Sequence, residues 1–140
     1  MDNIERFNRT AAALFKCLYE SFPTPIVRFD SESLCEAAGV PRTADARSMI
    51  CETGATVKWL ADEGFVRYNE TNRPSGFTMV VLTHKGLVAM NRVPDAVTPT
   101  ETVGERLKQL GREASTQTVA HLVQTALTLG VAAVARAGGY

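Results

Sequence analysis

Apolar positions first recur with helical spacing at Ile4, Phe7, Ala11, Leu14, Leu18 and Phe22, three or four residues apart. That spacing makes one stripe, so a core-facing helix is predicted over 3–22. Asp2 or Asn3 is its cap, Phe15 widens the stripe, and Glu5, Arg6, Arg9 and Lys16 form the polar side. Pro23 and Pro25 end it and force an extended path, and Ile26 to Phe29 reads as a short edge strand. Asp30 or Ser31 then caps a small helix over 32–38, stopped by Gly39. A longer helix is expected over 44–63, with Ala46, Ile50, Thr53, Val57, Leu60 and Ala61 on its buried side. Gly54 costs it about 1 kcal/mol relative to Ala, so a bend or split is expected there. Gly64 ends the helix, and two β-rich runs follow over 65–69 and 77–82 around a polar turn with Asn72, Pro74 and Gly76. Thr83 caps a short helix reaching Met90.

The remaining third changes character. V-P-D-A-V-T-P-T, over 93–100, has two prolines and no periodicity, which predicts a linker. Thr102-x-x-Glu105 is a capping-box pattern, and one long helix is expected over 103–137. Its second half is apolar on every side and has to be buried. A homodimer interface through Leu122, Ala126, Leu129, Gly130 and Ala133 answers that need. A membrane span over 118–135 is the rival, near the lower limit of length. His121, Gln124, the threonines and the lack of interfacial aromatics favour the dimer and argue against a membrane partner.

The run V-K-W-L-A-D-E-G-F-V-R-Y followed by V-V-L-T-H-K-G-L resembles the winged-helix regulators, including the PadR-like and MarR-like families. Those families carry a recognition helix ending in L-x-x-x-G-[LFY]-[IV], a two-stranded wing, and L-T-x-x-G. The resemblance spans residues 4–92. It implies a mostly α fold with a small antiparallel β-wing, a winged helix-turn-helix followed by a long C-terminal helix. Domain boundaries follow: a winged-helix domain over 1–93, a linker over 94–101 and a C-terminal helix over 102–140. The function implied is non-catalytic binding of double-stranded DNA by a dimeric transcriptional regulator, with residues 44–63 as the recognition helix. Winged helices also serve as protein-interaction and dimerisation modules without DNA binding, and that is the alternative.

Charge does little to separate the two. Lys plus Arg and Asp plus Glu are both 15 in 140 residues, whereas a DNA binder dominated by electrostatics is basic. Residues 41–92 hold seven basic side chains against five acids, a small local excess. Candidates for DNA contact are Arg42, Arg47, Ser48, Thr56 and Lys58 on or before the long helix, with Asn72 and Arg73 at the wing tip. His84 and Lys85, at a helix start, either bond phosphate or face water. Glu52 and Asp62 on the same helix oppose phosphate. Trp59 falls off the core stripe. It either packs under the C-terminal segment or the wing, or it stands out as an anchor for a protein partner together with the C-terminal helix.

Catalytic signatures are missing from the sequence. There is no phosphate-binding glycine loop, H-E-x-x-H or G-x-S-x-G, and the two histidines have no neighbouring acid or nucleophile in a motif. A protein that is not an enzyme, with no cofactor and no metal, is expected. Cys17, Cys35 and Cys51 lie far apart among apolar neighbours, which suits buried reduced thiols, with a redox switch or thiol metal site as the other option. The polar opening M-D-N-I-E-R has no signal-peptide core, and the expected compartment is the cytoplasm.

Overall fold

In the computed structural model, residues 1–41, 45–70, 76–92, 101–111 and 114–137 are described, without the side chains of residues 46, 70 and 133–137. Asp2 opens α1 (Asn3–Ser21) by accepting the Glu5 N–H at 2.8 Å, and its apolar stripe buries Ala11, Leu14, Phe15 and Leu18. β1 (Ile26–Asp30) leads straight into α2 (Ser31–Ala37), because the Asp30 carboxylate at the strand end accepts the Ser33 N–H at 2.7 Å. Gly39, at a φ of +71°, turns the chain out of α2. Asp45 caps α3 (Ala46–Asp62), which runs unbroken through Gly54, so the expected split is corrected. Gly54 is buried, and packing at that position offsets its poor helix propensity.

Gly64, at a φ of +85°, reverses the chain into β2 (Val66–Glu70), which pairs with β3 (Gly76–Leu82). The three strands form one antiparallel sheet in the order β1-β3-β2. Ile26 lies opposite Val80 on one side of β3, and Val66 opposite Leu82 on the other. β3 carries a bulge: between the pairs Arg67–Val81 and Asn69–Thr78, β2 advances two residues and β3 three. Met79 sits in that extra step at a φ of +53°, exposed. The bulge keeps Phe77 and the run Val80 to Leu82 buried.

Thr83 caps α4 (His84–Asn91): its hydroxyl accepts the Gly86 N–H at 3.1 Å and donates to the Gly64 carbonyl. Thr102 caps α5 (Val103–Gln109) through the Glu105 N–H at 3.1 Å. α5 stops there, and α6 (Thr116–Ala137) begins afresh after the Ser115 hydroxyl accepts the Thr118 N–H. The single helix expected over 103–137 is therefore two helices. The expected linker over 93–100 lies outside the described residues.

The greater correction concerns what α6 buries. Its inner face, Val119, Leu122, Val123 and Ala126, belongs to the same core cluster as Leu14, Leu18, Phe65 and Met90, and α6 packs on α1 and α4. Leu122 and Ala126, expected at a dimer interface, are enclosed by their own chain. Leu129 is half-buried against that core. Gly130 is buried where a Cβ would come within 2.3 Å of the Phe65 ring. The side chain of Ala133 lies outside the described residues. α1 and α4, rather than a second copy of the chain, supply the apolar surface that this inner face covers. No described helix is long and apolar enough to cross a membrane.

Candidate nucleic-acid interface

Projected at about 100° per residue, α3 has an exposed arc and a buried one, and the exposed arc has two unlike edges. Arg47 and Lys58, both exposed, fall within about 20° of each other and about 16 Å apart along the axis. They form a cationic edge. Glu52 and Trp59 fall about 100–140° round the helix from them and form the edge that faces α1. Cys51, Ala55 and Asp62, all exposed, lie between the edges.

Acids on this face are not equally available. Arg6 on α1 donates to both carboxylate oxygens of Glu52, at 2.5 and 3.2 Å. That hydrogen bond is also the main cause of the raised pKa of the Arg6 guanidinium. Glu52 is therefore partly neutralised and held on the α1 side. Asp62, one turn beyond Lys58, is the acid nearest the cationic edge by helical position.

The remaining candidates fall into three groups. Arg47, Ser48 and Lys58 are exposed, and Ser48 lies in the first turn, where its backbone N–H donates to the Asp45 cap. Thr56 is turned inward, 7% exposed, with its hydroxyl donating to the Glu52 carbonyl at 3.2 Å, so it contacts no groove from there. Its position about 180° from Arg47 on the helix accounts for the correction. Arg42, Asn72 and Arg73 lie outside the described residues. Lys85 is committed elsewhere: its ammonium donates to the Glu63 carbonyl at 2.7 Å and lies 4.5 Å from the centre of the Phe65 ring. His84 is exposed at the start of α4.

Trp59 packs on α1 and keeps part of its ring in solvent. It stands edge-on to Phe7 of α1, with ring centres 5.4 Å apart, and remains 43% exposed. Beside it opens a cleft of about 580 Å³ between α1, α3 and α6, lined by Ile4, Phe7, Ala55, Trp59, Gln124 and Leu127 among others. Ile4 is 59% exposed. No sequence signal pointed to this cleft, because its walls come from three elements far apart in the chain. Among the described residues, no three His, Cys, Asp or Glu side chains converge on a possible metal position. Comparison of the chain with protein-family models, with curated proteins and with solved structures found no match.

Proposed function

We propose that this chain is a non-catalytic winged-helix DNA-binding protein acting as a dimeric transcriptional regulator. The observation that carries the proposal is the cationic edge of α3. Arg47 and Lys58 lie along one side of the helix that precedes the hairpin, while Glu52 is held on the other side by Arg6. The element order supports the same reading: helix, strand, helix, helix, then two strands, with β1 joining the hairpin as its third member. In this arrangement α3 enters the major groove by its cationic edge, and the hairpin lies over the backbone. Phosphate contacts then position the protein, and few base contacts specify the site.

Dimerisation, on this proposal, uses the outer side of α6. Gln117, His121, Thr128 and Val131 are exposed there, and no Asp, Glu, Lys or Arg occurs between Ala114 and Ala135. Near a twofold axis each side chain meets its own copy, where like charges would repel. An uncharged helix face suits that contact.

Fluorescence anisotropy with random-sequence duplex DNA across a salt series tests the proposal. Micromolar binding that weakens steeply with salt is expected, with Arg47→Ala and Lys58→Ala each lowering the log–log slope by about 1. Absence of binding at low salt overturns it. The second reading, a winged-helix interaction module without DNA binding, would then take its place. It is favoured by one observation, the exposed Trp59 and Ile4 beside the α1–α3–α6 cleft, which would anchor a protein partner.

A further inference from the structure

A second cleft, of about 320 Å³, opens on the opposite side of α1, between α1, α2, the end of α5 with Leu110 and Gly111, and Val119 of α6. Its size lies at the low end of small-molecule sites. Four alanines, Ala12, Ala13, Ala37 and Ala38, line it, and Leu107, Leu110 and Val119 complete the apolar part. Small side chains are what leave the hollow open. Three groups of another kind also line it: Arg9, Lys16 and Cys17, all on α1.

The two cations differ in their electrostatic surroundings. Arg9 lies 3.6 Å from the Glu5 carboxylate and donates to the Ala114 carbonyl at 3.0 Å, so its charge is largely compensated. Lys16 donates to the Leu110 carbonyl at 3.2 Å, and no described carboxylate lies within ion-pair distance of it. An ammonium has three donors, and this hydrogen bond uses one. A half-buried cation at the rim of an apolar hollow is stabilised by an anion that brings its own apolar body.

We propose that this cleft binds a small organic carboxylate, its apolar part over the alanines of α1 and α2 and its charged end on the Lys16 ammonium. The ligand would tie α1 and α2 to the start of α6. This site does not depend on DNA binding and is tested without DNA.

Cys17 supplies a local reporter, since it lines the same cleft. In a Cys51→Ser background, the rate of Cys17 alkylation by iodoacetamide at mildly alkaline pH is measured with hexanoate or with hexanamide. These probes share a chain and differ in charge. Hexanoate is expected to slow the reaction at least threefold at saturation, while hexanamide has little effect. Lys16→Met should abolish the difference, and Lys16→Arg should retain it. Amide NMR shifts on adding hexanoate should centre on Lys16, Leu110 and Gly111. Equal protection by both probes, protection by neither, or persistence of the hexanoate effect in Lys16→Met overturns the proposal. Ala13→Leu, which fills the hollow and keeps the cation, should also remove protection. Its thermal unfolding identifies any loss of fold.

Discussion

Gly130→Ala sets two physical effects against each other. Gly130 lies inside α6, where alanine is favoured by about 1 kcal/mol on helix propensity alone. Against that, the new Cβ would lie 2.3 Å from Cε1 and 2.8 Å from Cζ of the Phe65 ring. Real carbon contacts need about 3.5 Å or more, so ring or helix has to move by roughly 1 Å. The ring has little freedom: Phe65 is 1% exposed, packs on Phe15 at 6.0 Å between ring centres, and lies beneath the Lys85 ammonium. Overpacking of a tight core costs about 1–3 kcal/mol, and part of α6 would shift off α4. The expected net effect is a loss of about 1–2 kcal/mol, read as a lower urea midpoint by far-UV circular dichroism at fixed protein concentration. In a Phe65→Leu background the shorter side chain should relieve most of the alanine penalty, as a coupling energy between the two positions. Stabilisation by Gly130→Ala, or additive effects of the two changes, would refute the docking of α6 on Phe65.

Gly86→Ala should be more damaging, by about 3 kcal/mol, because its Cβ would fall 2.2 Å from the Phe65 carbonyl oxygen, which the Thr83 N–H already holds. The same urea titration checks it. Thr83→Ala removes the α4 cap and its bond to Gly64, a loss of about 1–2 kcal/mol that Thr83→Ser should largely restore. Thiol titration with a disulfide reagent should resolve a fast site and slow sites, since Cys51 is exposed, Cys17 half-buried and Cys35 buried. Burial, aided by the nearby Glu20 charge, pushes the Cys17 thiol above its ordinary pKa. Its alkylation should therefore keep accelerating with pH past the point expected for a free cysteine, and Cys51→Ser should abolish the fast phase.

What could be learned from sequence was local. The caps Asp2, Asp30, Thr83 and Thr102 are short-range hydrogen bonds within four residues, and the glycines at 39 and 64 are forced by positive φ, so each left a signature. The break between α5 and α6 left a fainter one. No proline marks it, only Gly111 and the Ser115-x-x-Thr118 cap, inside a stretch whose apolar spacing continues. The fate of the apolar C-terminal helix depended on whether α1 and α4 had free apolar surface, a long-range fact that no window on the sequence contains. On α3, the period placed Thr53, Val57 and Leu60 inside, while Ile50 and Ala61 are half-buried and Thr56 joins the buried side. The division of its outer arc was hidden, because it depends on Arg6 and Phe7, residues of α1 that reach Glu52 and Trp59 only in the folded chain.

The DNA-binding proposal is tested most directly by comparing the two edges of α3 in one experiment. Affinity for a short random duplex at low salt is measured for Lys58→Glu, Asp62→Asn and Trp59→Ala beside the parent chain. Recognition through the cationic edge predicts at least a tenfold loss for Lys58→Glu, about 1.4 kcal/mol, a modest gain for Asp62→Asn, and little change for Trp59→Ala. Unchanged affinity in Lys58→Glu, or a loss in Trp59→Ala as large as in Lys58→Glu, would contradict it.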